Sequence, residues 1–129
     1  MAIKIYTDGS AKGNPGKGGY GIVMLFHEHR KEISEGFRLT TNNRMELLAV
    51  IVGLESIKRP NEKVVVFSDS RYVVDAVDKG WLFSWEKTNF NKKKNSDLWI
   101  RFLKIYRKHL VSFTWIKGHA NNAENERCD

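Results

Sequence analysis

Residues 64–69 read Val-Val-Val-Phe-Ser-Asp. Four apolar residues in succession, without alternation, predict a parallel strand covered on both faces. A parallel strand needs a crossover from an earlier strand, and the preceding segment supplies one. Asn43–Lys58 is apolar almost all round (Met45, Leu47, Leu48, Ala49, Val50, Ile51, Val52, Leu54), which predicts a deeply buried helix. With Asn43 as N-cap, Glu46 falls at N3 of a capping box. Pro60 stands just past the helix, where helices stop.

Upstream the period changes. Ile3–Asp8, Tyr20–Phe26 and Lys31–Leu39 read as strands, the last with Ile33, Phe37 and Leu39 on one face and Ser34 and Arg38 on the other. The connection at residues 27–30 is too short for a crossover helix, so these three predict an antiparallel meander. Downstream, Ser70–Asp78 and Ser96–Lys108 read as helices, the second with Leu98, Phe102 and Ile105 at helical spacing. Val111–Ile116 alternates as a last strand. The predicted order is βββαβααβ, a mixed α/β sheet with helices packed on it.

At 129 residues the chain predicts one domain, residues 1–129. With 41% hydrophobic and 29% charged residues, it has the composition of a globular protein rather than a disordered one. No apolar run approaches the roughly 20 residues that cross a bilayer, and the first residues lack a signal peptide's apolar region. The expected location is cytoplasmic, and the single Cys128 agrees with a reducing compartment. A net charge of +7 raises the prospect of a polyanionic partner. Lys87, Lys92, Lys93 and Lys94 lie among Trp81, Phe83, Trp85 and Phe90. Cations for phosphates and rings for sugars or bases suit nucleic acid, though a solvated surface loop fits the same pattern.

Three acids fall at element ends. Asp8 closes the first strand, Glu46 opens the buried helix, and Asp69 closes the strand at Val64–Phe67. Ligands gather at the carboxyl ends of strands in α/β sheets. Taken singly, each acid reads as a turn or cap residue. Together, clustered carboxylates raise one another's pKa values, and a cation relieves that repulsion. Oxygen ligands without Cys or His suit Mg²⁺, with Mn²⁺ as substitute. Two such ions can hold the attacking and leaving oxygens of a phosphoryl displacement. The glycine-rich opening lacks the spacing of a phosphate loop. Gly13, Gly16, Gly18, Gly19 and Gly21 suit either close approach of a bulky polymer or tight turns started by Asn14-Pro15.

The motifs together resemble those of ribonuclease HI, the type 1 RNase H family. They are Asp8-Gly9-Ser10 with Gly13-Asn14-Pro15-Gly16, then Thr40–Leu47 (TTNNRMEL), Ser68-Asp69-Ser70, Lys117-Gly118-His119-Ala120 and Glu124–Asp129 (ENERCD). The resemblance runs in order along essentially the whole chain. It implies an RNase H-like fold: a mixed five-stranded sheet with helices on both faces. It implies metal-dependent endonucleolytic cleavage of the RNA strand of RNA–DNA hybrids, leaving 5′-phosphate and 3′-hydroxyl ends. Asp8, Glu46, Asp69 and Asp129 would ligate two Mg²⁺ ions, and His119 would aid proton transfer or product release. Asn14, Asn42 and Asn43 match residues facing the hybrid's minor groove. Thr41 and Asn95 match a DNA-phosphate pocket, and Trp81 and Trp85 lie against the DNA strand unless they are simply core. Arg71 stands where many relatives carry glutamine, and Ala11 where many carry cysteine. The expected state is a monomer.

In relatives the aspartate matched by Asp129 begins a C-terminal helix. The sequence ends there, so that helix is expected to be absent or truncated and the fourth ligand poorly fixed. Two rival functions follow: a hybrid or duplex binder without catalysis, and a related metal nuclease or strand-transfer domain acting on DNA. The run Asn42–Glu46 argues against the second, because it resembles the segment that reads the 2′-hydroxyl.

Overall fold

The computed structural model describes residues 2–117. Five strands, β1 (Ile3–Gly13), β2 (Gly16–Phe26), β3 (His29–Thr40), β4 (Lys63–Ser68) and β5 (Leu110–Trp115), alternate with α1 (Asn42–Glu55), α2 (Arg71–Asp78), α3 (Trp81–Lys87) and α4 (Ser96–Tyr106). The sheet order is β3-β2-β1-β4-β5. β1, β2 and β3 are antiparallel neighbours, while β4 runs parallel to both β1 and β5. The meander, the parallel strand at Val64–Phe67 and the mixed five-stranded sheet are as the sequence predicts.

α1 is the centre of the core. Met45, Leu47, Ala49, Val50, Ile51 and Leu54 are all buried, as are Ile5, Ile22, Val64 and Val66 of the sheet and Trp99 and Phe102 of α4. An aliphatic side chain of this kind contributes about 1.5–3 kcal/mol when fully buried, so α1 is held by packing on several sides. No helix among the described residues is long and apolar enough to cross a membrane.

Four differences from the sequence reading have physical causes. First, β1 and β2 extend through the glycine-rich stretch as a paired hairpin, with Ser10 opposite Gly19 and Gly13 opposite Gly16. Asp8 therefore lies inside β1 rather than at its end. Gly13 takes φ +99°, which a side chain would resist. Second, the N-cap of α1 lies two residues earlier than Asn43. Thr41 is its N-cap and accepts from Arg44 N at 3.2 Å, so Glu46 lies in the second turn and forms no capping box. Third, a bulge falls in β3, where Phe37 pairs with Gly18 but Thr40 with Gly16. The extra residue turns Leu39 outward, to 72% exposure, and Thr40 inward. Fourth, α3 forms where the sequence pattern predicts no helix. It begins at Gly80, which is left-handed at φ 77° and offers no side-chain cap.

Candidate active site

Three carboxylates converge where the parallel pairing of β1 and β4 ends. The register that pairs Ile3 with Val64 and Tyr6 with Phe67 sets Asp8 opposite Asp69. Asp8 is buried within the β1–β2 ladder. Asp69 follows the last residue of β4, where the chain turns into α2. That turn is tightly held. Ser70 N donates to Ser68 Oγ at 3.1 Å, Val73 N donates to Ser70 Oγ at 3.3 Å, and the Trp115 indole N–H donates to the Asp69 carbonyl at 3.2 Å.

Glu46 reaches the same point from α1, because α1 lies directly on β1. A Cβ on Gly9 would sit 2.5 Å from the Met45 carbonyl carbon and 2.7 Å from Glu46 N, so only glycine permits this approach. Gly9 N in turn donates to Glu46 Oε1 at 2.7 Å. Oxygen atoms of Asp8, Glu46 and Asp69 lie within 4.8 Å of one another. Burial, then the adjacent Asp69 charge, push the Glu46 carboxyl up to about 8, against the pull of the Gly9 N–H. Three hard oxygen donors crowded to this degree form a set that suits a divalent cation.

A second cluster lies along the start of α1. A cavity of about 330 Å³ is lined by Asn14, Thr41, Asn42, Asn43, Lys94 and Asn95. It brings together residues from the β1–β2 turn, the α1 N-terminus and the segment before α4. Asn42 Oδ1 accepts from Ala11 N, tying α1 to β1. Asn95 holds φ 62° and is fixed on both sides: Arg44 Nη1 donates to its Oδ1 at 3.2 Å, and its Nδ2 donates to Tyr72 Oη at 3.0 Å. Trp99 Nε1 donates to the same Tyr72 oxygen at 2.9 Å, and Arg44 grips Asp97 in a fork at 2.8 and 3.0 Å.

The two tryptophans of α3 differ. Trp81 is half exposed, with the Lys79 ammonium 5.2 Å from its ring. Trp85 packs edge-on against buried Trp99 at 5.8 Å and carries the Lys93 ammonium at 5.0 Å, so it belongs in part to the core. Arg71 opens α2 with its guanidinium 3.8 Å above the Trp115 ring. His119 and Asp129 lie outside the described residues. The sequence marks Lys94 only as part of a basic stretch and Arg44 only as part of the run Asn42–Glu46, and it does not mark Tyr72, Asp97 or Trp115. Nothing local marks them, because each acts through a partner distant in the chain.

The chain matches the RNase H family over residues 1–129. It is 57% identical to ribonuclease H of Desulforamulus reducens, covering 98% of this chain and 82% of that protein. Against ribonuclease H of Syntrophus aciditrophicus the identity is 55%, with 98% and 76% covered. Among solved structures, LC9-RNase H1, a type 1 RNase H with the type 2 active-site motif, superposes with a TM-score of 0.87 at 30% identity, covering 98% of this chain and 67% of that one. LC11-RNase H1, solved in complex with an RNA/DNA hybrid, gives 0.70 at 29% identity, with 98% and 93% covered. With carboxylates and fold arranged as described, this chain belongs to the RNase H family of enzymes.

Proposed function

We propose that this ribonuclease H hydrolyses the RNA strand of RNA–DNA hybrids, leaving 5′-phosphate and 3′-hydroxyl ends, with two divalent metal ions held by Asp8, Glu46, Asp69 and Asp129. The observation that carries this is the approach of three carboxylates to within 4.8 Å at the ends of paired parallel strands. Mg²⁺, or Mn²⁺ in its place, would supply charge neutralisation and a more acidic water at the scissile phosphorus. The chain's own residues do the rest. Asp8 offers oxygens from the sheet, Asp69 from the held turn after β4, and Glu46 from a buried helix tied to Gly9. Water adds to phosphorus, the bond to the 3′-oxygen breaks and a proton reaches that oxygen; His119 would aid that proton transfer or product release.

Asn14, Asn42 and Asn43 suit a minor groove that displays 2′-hydroxyls, which amide groups read by hydrogen bonding. Thr41 and Asn95, with Lys94 beside them, suit a phosphate of the DNA strand. Trp81 would lie along that strand, and Trp85 would support it from the core side. Arg71 would face the scissile strand. Contacts of this kind read shape and backbone rather than bases, so little sequence preference is expected. The protein is expected to act as a cytoplasmic monomer.

The test is a labelled RNA strand annealed to DNA, incubated with Mg²⁺, with Mn²⁺ and with a chelator. Double-stranded RNA, double-stranded DNA and single-stranded RNA are the controls. Metal-dependent cutting of the hybrid alone supports the reading. Binding without cutting under both metals would leave a hybrid-binding protein instead. Asp129→Asn tests the fourth ligand: an unchanged rate removes it from the set.

A further inference from the structure

Trp115 touches both sides of the α2 start. Its indole N–H donates to the Asp69 carbonyl at 3.2 Å, and its ring lies under the Arg71 guanidinium at 3.8 Å. One side chain therefore joins the backbone of an active-site acid to a cation two residues on. β5 holds Trp115 firmly in place. Ser68 pairs with Trp115 in the parallel ladder, and Ile116 N donates to the Ser68 carbonyl at 2.9 Å.

Arg71 is the third element of this arrangement. Its side chain is 60% exposed, and Asp75, one turn on, stands 3.6 Å away. Asp75 is shared with Lys79 at 3.7 Å. At 3.6 Å the Asp75 contact is an ion pair longer than a hydrogen bond, so the exposed guanidinium still has N–H donors to offer a ligand. The face of the guanidinium is occupied by the ring, so its N–H edges are what it offers outward. A planar fork of donors, held flat and still charged, matches two oxygens of a phosphate. A glutamine there would offer one neutral amide and no charge.

We propose that Trp115 is a positioning residue that holds Arg71 flat to grip a backbone phosphate of the scissile strand, and that the same indole steadies Asp69. This rests on the hybrid-cleavage reading above. The strand cut at the carboxylates must pass the Asp69 backbone. Arg71 stands one indole away, so it meets that strand and not its complement. The contact adds one released counterion to binding, which a purely structural stacking pair does not.

The experiment compares hybrid affinity at salt concentrations from about 50 to 200 mM. All chains carry Glu46→Gln to suppress cutting, and a fluorescent hybrid is read by anisotropy. Arg71→Gln is expected to flatten the plot of log Kd against log salt by about 0.7–0.9, the share of one phosphate contact. Replacing RNA-strand phosphates near the cut by neutral methylphosphonates should weaken the Arg71 chain but leave Arg71→Gln unmoved. The same replacement in the DNA strand should not discriminate between them. Parallel salt plots for the two chains, with hybrid binding intact, would overturn the phosphate contact. No preference of the parent for hybrid over double-stranded DNA would overturn the hybrid reading instead. In the otherwise native enzyme, Arg71→Gln should raise KM with kcat nearly unchanged. Trp115→Phe keeps an aromatic face under Arg71 and loses the N–H, so it should lower kcat with KM little changed. Trp115→Leu should change both. Equal changes in kcat and KM for all three would reduce Trp115 to a fold residue. Arg71 is exposed, so its variant tests the proposal even where the tryptophan variants fold poorly.

Discussion

Glu46 and Asp97 are both carboxylates fixed by hydrogen bonds, yet their affinities for a proton move in opposite directions. Glu46 sits among other acids in a buried place, and its pKa rises to about 8. Asp97 sits against the Arg44 fork and falls below the usual carboxylate range. Away from the strand ends, acids meet arginines: Asp97 with Arg44, Glu55 with Arg101, Glu86 with Arg107. Where the β1–β4 pairing ends, acids meet acids. A chain optimised for stability alone would not gather charge in this way. The cluster is where stability is exchanged for affinity toward a cation, and the paired acids are where the fold is left undisturbed.

The largest expected effect comes from removing one of the clustered oxygens. Asp69→Asn should lower kcat by more than the roughly 10–100-fold that loss of an outer-shell partner costs at a metal site. Melting temperature should hardly fall. Steady-state cleavage of a hybrid beside a thermal melt measures both. A large loss of stability with modest loss of rate would reverse the roles assigned to the two regions.

The second effect has the sign that the comparison demands. A pKa raised from 4.5 to about 8 means that the native state holds a proton the unfolded chain releases. That stabilisation is complete below about pH 4.5 and is lost as pH rises toward 8. Without metal, Glu46→Gln should therefore be the more stable chain at pH 8, by on the order of 1–4 kcal/mol. The difference should vanish near pH 4. Added Mg²⁺ should raise the parent's stability by about 2.7 kcal/mol at a hundred times its Kd. The glutamine variant should gain less. Denaturant melts at the two pH values, with Mg²⁺ and with chelator, decide it. A glutamine variant less stable at every pH would show that Glu46 is an ordinary structural acid.

The third effect joins the two regions. Asp97 holds Arg44, and Arg44 holds Asn95 at the edge of the cavity that also contains Thr41. Asp97→Asn should raise KM for the hybrid about 3–10-fold, equivalent to ~1 kcal/mol, with kcat unchanged. Its cost to stability should stay under about 1 kcal/mol, as for other surface ion pairs. A fall in kcat instead would mean that the network reaches the carboxylates.

Much of this was legible in advance, and the illegible part has a common cause. Periodicity exposed the meander, the buried helix and the parallel strand, because each is a local pattern. Asp69 is legible because strand ends announce ligand sites, whereas Asp8 reads as a strand end only because the glycines after it hide the continuation of β1. Their meeting also depends on the register between β1 and β4, which no single segment carries. The α1 start was misplaced because Thr41, Asn42 and Asn43 are all good caps, and the choice was made by tertiary packing of α1 on Gly9. Leu39 reads as sharing a face with Ile33 and Phe37 because a bulge shifts parity without a local mark. α3 was missed because its first turn has neither a capping side chain nor a long apolar face. Arg44–Asp97 and Trp115–Asp69 link residues far apart in sequence, and only the fold reveals them.

The smallest effect belongs to the pair farthest in character from the acid cluster. Glu86 accepts a fork from Arg107 at 2.6 and 2.7 Å, and Arg107 draws its pKa down. Geometry this good invites a claim of stabilisation. Both side chains are nonetheless in water, where the attraction is screened and two long side chains must be stilled to make it. Glu86→Gln should leave melting temperature, kcat and KM within error, at low salt and at high salt alike. The contrast with Glu46→Gln is then one of burial and not of bonding, since both glutamates accept well-formed hydrogen bonds. A melting temperature that falls at low salt and recovers at high salt would instead give the exposed pair a share in holding α3 against the end of α4.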